Sequence, residues 1–323
     1  MKLLVTGFTG FVSKHFLHLL NQLEPGSEVL GVDKNEYTNN FNEYPRLNIQ
    51  SKKIDLLNKK DVEDMLISFQ PEYILHLASV SSVAQSWHTP LDSFVNNTNI
   101  FLNLVEQVRI NKIPCRILSV GSSEEYGQVA HADLPLTEEH HLNPLSPYAV
   151  ARVSQEMLSV IYAEGFGLDI IITRSFNHIG PGQSENFVIS SFAKQLVQLS
   201  KKQAKENKII TGDLSIIRDF LDVRDVVKAY HALLKNGRKG QVYNICSGNG
   251  STLKDIVLKM AGLLAVDIHM ETDPALVRPN DNKVIIGSRE KINKELGWKP
   301  EIPIDQSLAD IIAYWQQKLS ANC

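Results

Sequence analysis

The strand-like run Leu3 to Thr6 stops at Gly7, and Gly10 and Ser13 follow at the spacing GxxGxxS just as an apolar helical pattern, Phe11 to Leu23, begins. Twenty residues after Ser13 stands Asp33, at the end of a second strand-like run, Glu28 to Asp33. A strand that breaks at glycine into a helix N-terminus gathers backbone N–H groups at the positive end of a helix dipole, which is what a pyrophosphate needs. An acid at the end of the next strand can accept the hydroxyls of an adenosine ribose. A glycine turn is often only a turn, and an Asp often only ends a strand. Together, at this spacing, they predict a dinucleotide site with Gly7, Gly10 and Asp33 in it. The Asp33 carboxylate opposes a 2′-phosphate, which puts NAD(H) first and NADP(H) second, with Lys34 softening the preference.

The alternation continues. Tyr73 to Leu77 and Arg116 to Val120 read as strands, while Lys60 to Phe69 and Leu91 to Arg109 carry apolar residues at helical spacing. Ser146 and Pro147 form a helix start whose pattern runs to Gly165, and another strand, Asp169 to Thr173, follows. Strands alternating with helices mean α/β architecture with a doubly wound parallel sheet. After Pro181 and Gly182 the pattern loosens into short strands such as Gln241 to Cys246 and helices such as Leu253 to Leu264. The expected division is a dinucleotide-binding domain over 1–180, with a returning segment around 207–245, and a smaller mixed α/β lobe over 181–323.

Composition excludes other classes. With 33 Lys+Arg against 36 Asp+Glu the net charge is −3, so there is no basic field for nucleic acid or an anionic membrane. The one basic run, Lys201, Lys202, Lys205 and Lys208, reads as a solvated helix end without aromatic residues to stack a base. Cys115, Cys246 and Cys323 lie far apart, which argues against disulfides and zinc, and His140-His141 has no metal-ligand spacing, so no metal is expected. Strand character from Lys2 leaves no room for a signal peptide, and no run is long enough to span a membrane. A cytoplasmic protein is the expectation.

Tyr148 and Arg152, four apart, share one face of their helix, beside Gly121, Ser122, Ser123 and Glu124 at the end of a central strand. Here the chain resembles the extended short-chain dehydrogenase/reductase superfamily, whose marks are TGxxGFxG, a Ser or Thr after the fourth strand, and YxxxK. Its counterparts are Thr6-Gly7-Phe8-Thr9-Gly10-Phe11-Val12-Ser13, Gly121-Ser122-Ser123-Glu124-Glu125-Tyr126-Gly127 and Tyr148-Ala149-Val150-Ala151-Arg152. Matches continue through Asp55-Leu56, His76-Leu77-Ala78, Arg174 to Gly182, Arg218-Asp219-Phe220, Arg278-Pro279 and Leu296 to Pro300. Together they look like the branch that modifies nucleotide-diphosphate sugars. Ser122 to Gly127 and Asn177 to Gln183 most resemble its enzymes that reduce GDP-4-keto-6-deoxymannose or dehydrate GDP-mannose.

The resemblance implies roles. Phe11, Val12, Asp55, Leu56, Leu77 and Ala78 would join Gly7, Gly10 and Asp33 around the cofactor. Ser122 would hydrogen-bond the reacting sugar oxygen, and Tyr148 would be the acid or base there. Arg152 stands where the family lysine holds the nicotinamide ribose and eases ionisation of the tyrosine. Glu124 matches a dehydratase glutamate, or is a carboxylate satisfying backbone donors in its loop. Ser122, Ser123, Asn177, Arg218, Arg278 and Asp281 would contact the nucleotide sugar, the two arginines suiting a diphosphate. Two departures stand out. Ser13 adds a hydroxymethyl where a third glycine would let helix and strand pack closely. Arg152 keeps the lysine's charge but presents it as a wide fork that relays protons poorly.

A reductase suffers least from that change, because its tyrosine gives a proton and need not start ionised. The expected activity is therefore NAD(P)H-dependent reduction of the 4-keto group of a GDP-4-keto-6-deoxyhexose. The alternatives are 4,6-dehydration, 4-epimerisation, or an NAD-binding regulatory protein without turnover. Relatives pair the helices that here are Leu91 to Arg109 and Pro147 to Glu164, so a homodimer is expected.

Overall fold

A computed structural model of the chain describes residues 1–38, 40–201, 207–277 and 282–321. Strands β1 (Lys2–Thr6), β2 (Glu28–Asp33), β3 (Asn48–Lys53), β4 (Tyr73–His76), β5 (Arg116–Ser122) and β6 (Asp169–Ser175) come first. Three short ones, β7 (Asn177–Ile179), β8 (Lys208–Thr211) and β9 (Ile217–Asp222), precede β10 (Val242–Ile245). The last are β11 (Gly250–Thr252), β12 (His269–Thr272) and β13 (Val284–Ile285).

A single sheet of seven strands runs β10-β6-β5-β4-β1-β2-β3, every neighbouring pair parallel. Helices cover both faces, so the inner strands are continuous apolar runs rather than alternating ones: Leu3-Leu4-Val5, Ile74-Leu75, Ile117-Leu118 and Ile170-Ile171-Ile172 are all buried. Helices Phe11–Leu23 and Val223–Asn236 pack one face around Phe16, Leu20, Tyr230 and Leu233. Helices Lys59–Phe69, Ile100–Ile110 and Pro147–Glu164 pack the other around Leu66, Phe101, Val105 and Tyr162. β3 is an edge strand with a polar, mostly exposed sequence, so hydrophobic periodicity does not reveal it.

A four-stranded sheet of β11-β9-β13, with β7 also paired to β9, and the separate pair β12-β8 lie beyond the large sheet in sequence, apart from β10. Helices Val188–Ser200, Leu253–Leu263 and Ile304–Ala321 close a further core around Phe192, Met260 and Trp315. The Leu296-Gly297-Trp298 segment is a fastener. Gly297 ends its helix at φ 68°, a left-handed angle that glycine adopts without steric cost, and Trp298 Nε1 then donates to the Asp225 carbonyl at 3.2 Å. The Asp225 carboxylate accepts the Glu301 and Ile302 N–H groups at 2.8 Å each.

Two expectations need correction. The run Leu91 to Arg109 is helical throughout but not regularly α-helical: Pro90–Phe94 and Ile100–Ile110 flank a π-helical stretch, Val95–Asn99. Its cause is visible in Asn97, a buried amide that donates to the Ser93 carbonyl at 2.6 Å and accepts the Val80 N–H at 3.1 Å, competing with regular helical pairing. The basic run is not a helix end throughout. Lys201 caps the helix Val188–Ser200, but Lys208 opens β8, where Ile209 is buried; Lys202 and Lys205 lie outside the described residues.

Candidate active site

Strand order reverses between β1 and β4, and a doubly wound sheet opens a crevice at the C-terminal ends of its strands at such a point. Gly7 turns there at φ 68°, and a Cβ on it would stand 2.8 Å from the Ala78 nitrogen, so the glycine turn lies directly on the Leu77–Ala78 backbone. Gly10 closes the turn by donating to the Gly7 carbonyl at 3.0 Å and caps the helix Phe11–Leu23 with extended backbone. No side chain caps that helix, so its first N–H groups are open to an anion. Phe11 and Val12 begin the helix half-buried, the Phe11 ring stacked on His178 with centroids 6.3 Å apart. Ser13 is accommodated, but its hydroxyl is buried without a hydrogen-bond partner among the described residues.

Asp33 reaches back to the turn. Its Oδ2 accepts the Thr9 N–H at 3.1 Å and the Thr9 hydroxyl at 2.9 Å, and Oδ1 accepts the Asn35 N–H at 2.9 Å. A carboxylate has about four acceptor sites, so one is left for a ribose hydroxyl. Asp55 lies exposed just past β3 and Leu56 is buried beside it, with Asn103 donating to the Leu56 carbonyl at 3.0 Å. Leu77 and Ala78 leave β4 half-buried, Ala78 N–H bonded to Thr6 Oγ1 at 3.2 Å. A glycine cradle, an uncapped helix start and an acid with acceptor capacity to spare fit a dinucleotide.

Ser122 ends β5 and caps the short 3₁₀ turn Ser123–Tyr126: its Oγ accepts the Glu124 N–H at 3.2 Å, which leaves the Ser122 proton free to donate. Ser123 is buried and Glu124 half-exposed on the same turn. Tyr148 opens the neighbouring helix, whose Ser146 hydroxyl accepts the Ala149 N–H and whose Pro147 fills the first helical position. Arg152, one turn on, is almost wholly buried. Its Nε donates to Tyr148 Oη at 3.1 Å, and Nη1 donates to the Val120 carbonyl at 2.9 Å and to Gln155 Oε1 at 2.7 Å. The arginine thus ties the tyrosine to β5 two residues before Ser122. The Tyr148 oxygen accepts, so its own proton is free as well.

Three supports do not stand out as site residues in the sequence. His76 is fully buried at the end of β4, its Nδ1 2.9 Å from Thr6 Oγ1; burial, helped by the charge of Arg152, pushes it down to about 3, so no second cation forms beside Arg152. Gln155 holds the Arg152 fork. Glu125, fully buried, accepts the Ser122 N–H at 2.6 Å. Burial, then the neighbouring Glu156, push its carboxyl well above the usual carboxylate range. Glu156 in turn is gripped by Arg174, with Nε to Oε2 at 2.9 Å and Nη2 to Oε1 at 2.7 Å. The YxxxK spacing ends at Arg152 and does not reach Gln155, and the buried acids look like surface charges in a linear pattern.

Glu125 carries a pH prediction. A carboxyl raised in the folded state stabilises the fold most below the ordinary carboxylate range, and that advantage is lost as pH rises through its folded value. The melting temperature of wild type should therefore fall as pH rises above the ordinary carboxylate range, and Glu125→Gln, neutral at every pH, should flatten that fall. An unchanged slope in thermal melts above this range would contradict the neutral carboxyl.

The proposed sugar-side residues are only partly assembled among the described residues. Asn177 is exposed at the start of β7 and pairs with Phe220 of β9, and Arg218 lies two residues earlier on β9, buried opposite Ser251. Arg218 Nη1 donates to the Ile217 carbonyl at 3.0 Å. Arg278 and Asp281 lie outside the described residues.

Comparison with known proteins agrees with this layout. Residues 4–311 match the family model described as GDP-mannose 4,6 dehydratase. The chain is 33% identical over 318 residues to GDP-6-deoxy-D-mannose reductase of Pseudomonas aeruginosa, covering 98% of each. Among solved structures it is similar to RMD from Pseudomonas aeruginosa complexed with NADPH, with TM-score 0.85 and 31% identity over 98% of this chain and 100% of that one. It is also similar to UDP-glucose 4-epimerase with UDP-glucose from Thermotoga maritima, with TM-score 0.87 and 27% identity over 99% and 100%. With its glycine cradle, its Ser122 and Tyr148 hydroxyls and a match over nearly its whole length, the chain belongs to the GDP-mannose 4,6 dehydratase family.

Proposed function

We propose that this protein reduces the 4-keto group of a GDP-4-keto-6-deoxyhexose with NAD(P)H. The observation that carries the reading is the 3.1 Å bond from Arg152 Nε to Tyr148 Oη. A phenol whose oxygen already accepts an N–H has its own proton left to give, and the guanidinium beside it stabilises the negative charge that remains. Ser122 is set the same way, its oxygen occupied by Glu124 N–H and its proton free. Two donors on one ketone oxygen polarise the carbonyl, and Tyr148 completes the proton transfer as the oxygen becomes a hydroxyl. Bound at the Gly7–Gly10 cradle, NAD(P)H supplies the hydride that the carbonyl carbon takes.

The family name and the half-exposed Glu124 favour one second reading, 4,6-dehydration of GDP-mannose. Dehydration begins by taking a proton from a sugar hydroxyl, which a tyrosine still carrying its own proton must ionise to do, whereas reduction uses that proton directly. The test is incubation with GDP-mannose and, separately, its 4-keto-6-deoxy derivative. Reduction of the second only, with Glu124→Gln mildly impaired, supports the proposal; conversion of GDP-mannose that collapses in Glu124→Gln makes the dehydratase correct.

Finer features belong to the same proposal. Asp33 keeps NAD(H) ahead of NADP(H), and the NADPH bound by the P. aeruginosa relative makes NADP(H) the competitor to titrate. Wild type should bind NADH more tightly, and Asp33→Ala should narrow the gap by roughly tenfold, an ion–phosphate repulsion of about 1.4 kcal/mol. Tighter NADPH binding by wild type would refute the assignment.

Asn177 and Arg218 would hold the nucleotide sugar, and 1–180 with the returning segment around 207–245 would act as the cofactor lobe against the remainder of 181–323. A homodimer would bury the exposed apolar stripe of Val150, Met157 and Ile161 on the helix Pro147–Glu164, together with Trp87 and Phe94, which line a shallow cavity of about 550 Å³. Among the described residues no helix is long and apolar enough to cross a membrane, and Cys115 and Cys246 are buried free thiols, which suits a reducing cytoplasm.

A further inference from the structure

We infer that Gln155 is the positioning residue that lets an arginine serve beside Tyr148, and that Arg152 and Gln155 work as one unit. The inference rests on the reductase reading for its kinetic arm only.

A guanidinium has five N–H donors in a rigid fork, and its plane must be fixed before any one of them points usefully. On a four-residue helical spacing the fork could rotate and offer Tyr148 any of three nitrogens. Here one edge of Nη1 is pinned by the Val120 carbonyl and by Gln155 Oε1, which orients Nε onto Tyr148 Oη. Nη2 makes no hydrogen bond among the described residues, so it is the donor left over for a cofactor hydroxyl. Gln155 is itself held: its Nε2 donates to Ser119 Oγ at 2.9 Å and to the Val120 carbonyl at 3.2 Å. The Ser159 hydroxyl lies 3.0 Å from Ser119 Oγ and donates to the Gln155 carbonyl at 2.8 Å. Ser119, Gln155 and Ser159 are at most 1% exposed. A buried amide with both ends satisfied cannot swing, and a networked polar group of this kind specifies one orientation. Among the described residues the Gln155 side chain bonds to Arg152, Ser119 and Val120 and not to Tyr148, so it acts through Arg152.

The same geometry sets what an arginine needs in the lysine's place. A lysine ammonium is a compact point charge with freely rotating donors, and needs no partner to set a plane. Removing Gln155 should therefore harm the enzyme only while residue 152 is an arginine.

The experiment is a double-mutant cycle of Gln155→Met, which keeps the volume but loses the amide, with Arg152→Lys, read by kcat and by the fluorescence-titrated Kd for NADH in the absence of sugar. Gln155→Met alone should lower kcat about tenfold to a hundredfold through misplacement of the donor, with the sugar KM little changed. It should weaken NADH about fivefold, the loss of one oriented hydrogen bond. In the Arg152→Lys background the same change should alter either quantity by less than about twofold, since lysine has no plane to lose. Gln155→Leu, of similar size and likewise without the amide, should show the same dependence on residue 152 and serves if the Met variant folds poorly. The inference is overturned if Gln155→Met leaves both kcat and Kd near wild type, or if its penalty is the same with Lys as with Arg, which would make Gln155 a packing residue. Should wild type not reduce the keto sugar at all, the reductase reading falls while the NADH arm still decides the Arg152–Gln155 coupling.

Discussion

Tyr148→Phe should lower kcat by about 10²- to 10⁴-fold, the range that a positioned general acid contributes. The ring is almost fully buried against its helix and the phenylalanine keeps that packing, so only the oxygen is lost. Arg152 Nε then loses its acceptor, while Nη1 stays on the Val120 carbonyl and Gln155, so the guanidinium should remain in place and NADH should still bind. One orphaned donor on the buried guanidinium costs about 1–3 kcal/mol of stability. Steady-state assays beside thermal melts separate the two effects: a folded, cofactor-binding, nearly inactive variant is expected. A loss of less than tenfold would remove Tyr148 from the acid role.

Arg174→Leu is expected to cost about 3–5 kcal/mol, the penalty for leaving a buried charge without its partner. The side chains of Arg174 and Glu156 are only 6% and 2% exposed. The guanidinium grips both Glu156 oxygens, donates from Nη1 to the Glu138 carbonyl at 3.0 Å, and lies over the Tyr126 ring at 4.7 Å. Its loss would leave Glu156 beside Glu125, two acids in one dry pocket below Ser122. Adding Glu156→Leu should restore much of the stability, because removing both members of a buried pair is far cheaper than removing one. Urea denaturation at neutral pH reads all three proteins, and a single variant within about 1 kcal/mol of wild type would show that the pair is hydrated and weak.

Tyr148 and Arg174 stand on opposite sides of the divide between what the sequence shows and what it hides. Gly7, Gly10 and Asp33 are legible because backbone chemistry and spacing mark them: a Cβ at Gly7 would strike the Ala78 nitrogen, and the side chain at the end of β2 accepts from the turn. Tyr148 and Arg152 are legible through helical spacing. The inner strands show as apolar runs because both their faces are covered. β3 does not, being a polar edge, and the π stretch at Asn97 does not, because its cause is a contact to Val80 seventeen residues away. The pairing of Glu125, Glu156 and Arg174 escapes for the same reason. Their burial depends on elements far apart in the chain, and a linear pattern reads such charges as solvated.

The reductive role given to Tyr148 is tested most directly by following the reduced cofactor and the sugar product together in one reaction with GDP-4-keto-6-deoxymannose. A reductase consumes one NAD(P)H for each 4-hydroxy sugar formed, so the fall in absorbance at the nicotinamide band should equal the product throughout the progress curve. Product formed with no net change in that band, or conversion of GDP-mannose in a parallel reaction with the cofactor ending as it began, would contradict the account.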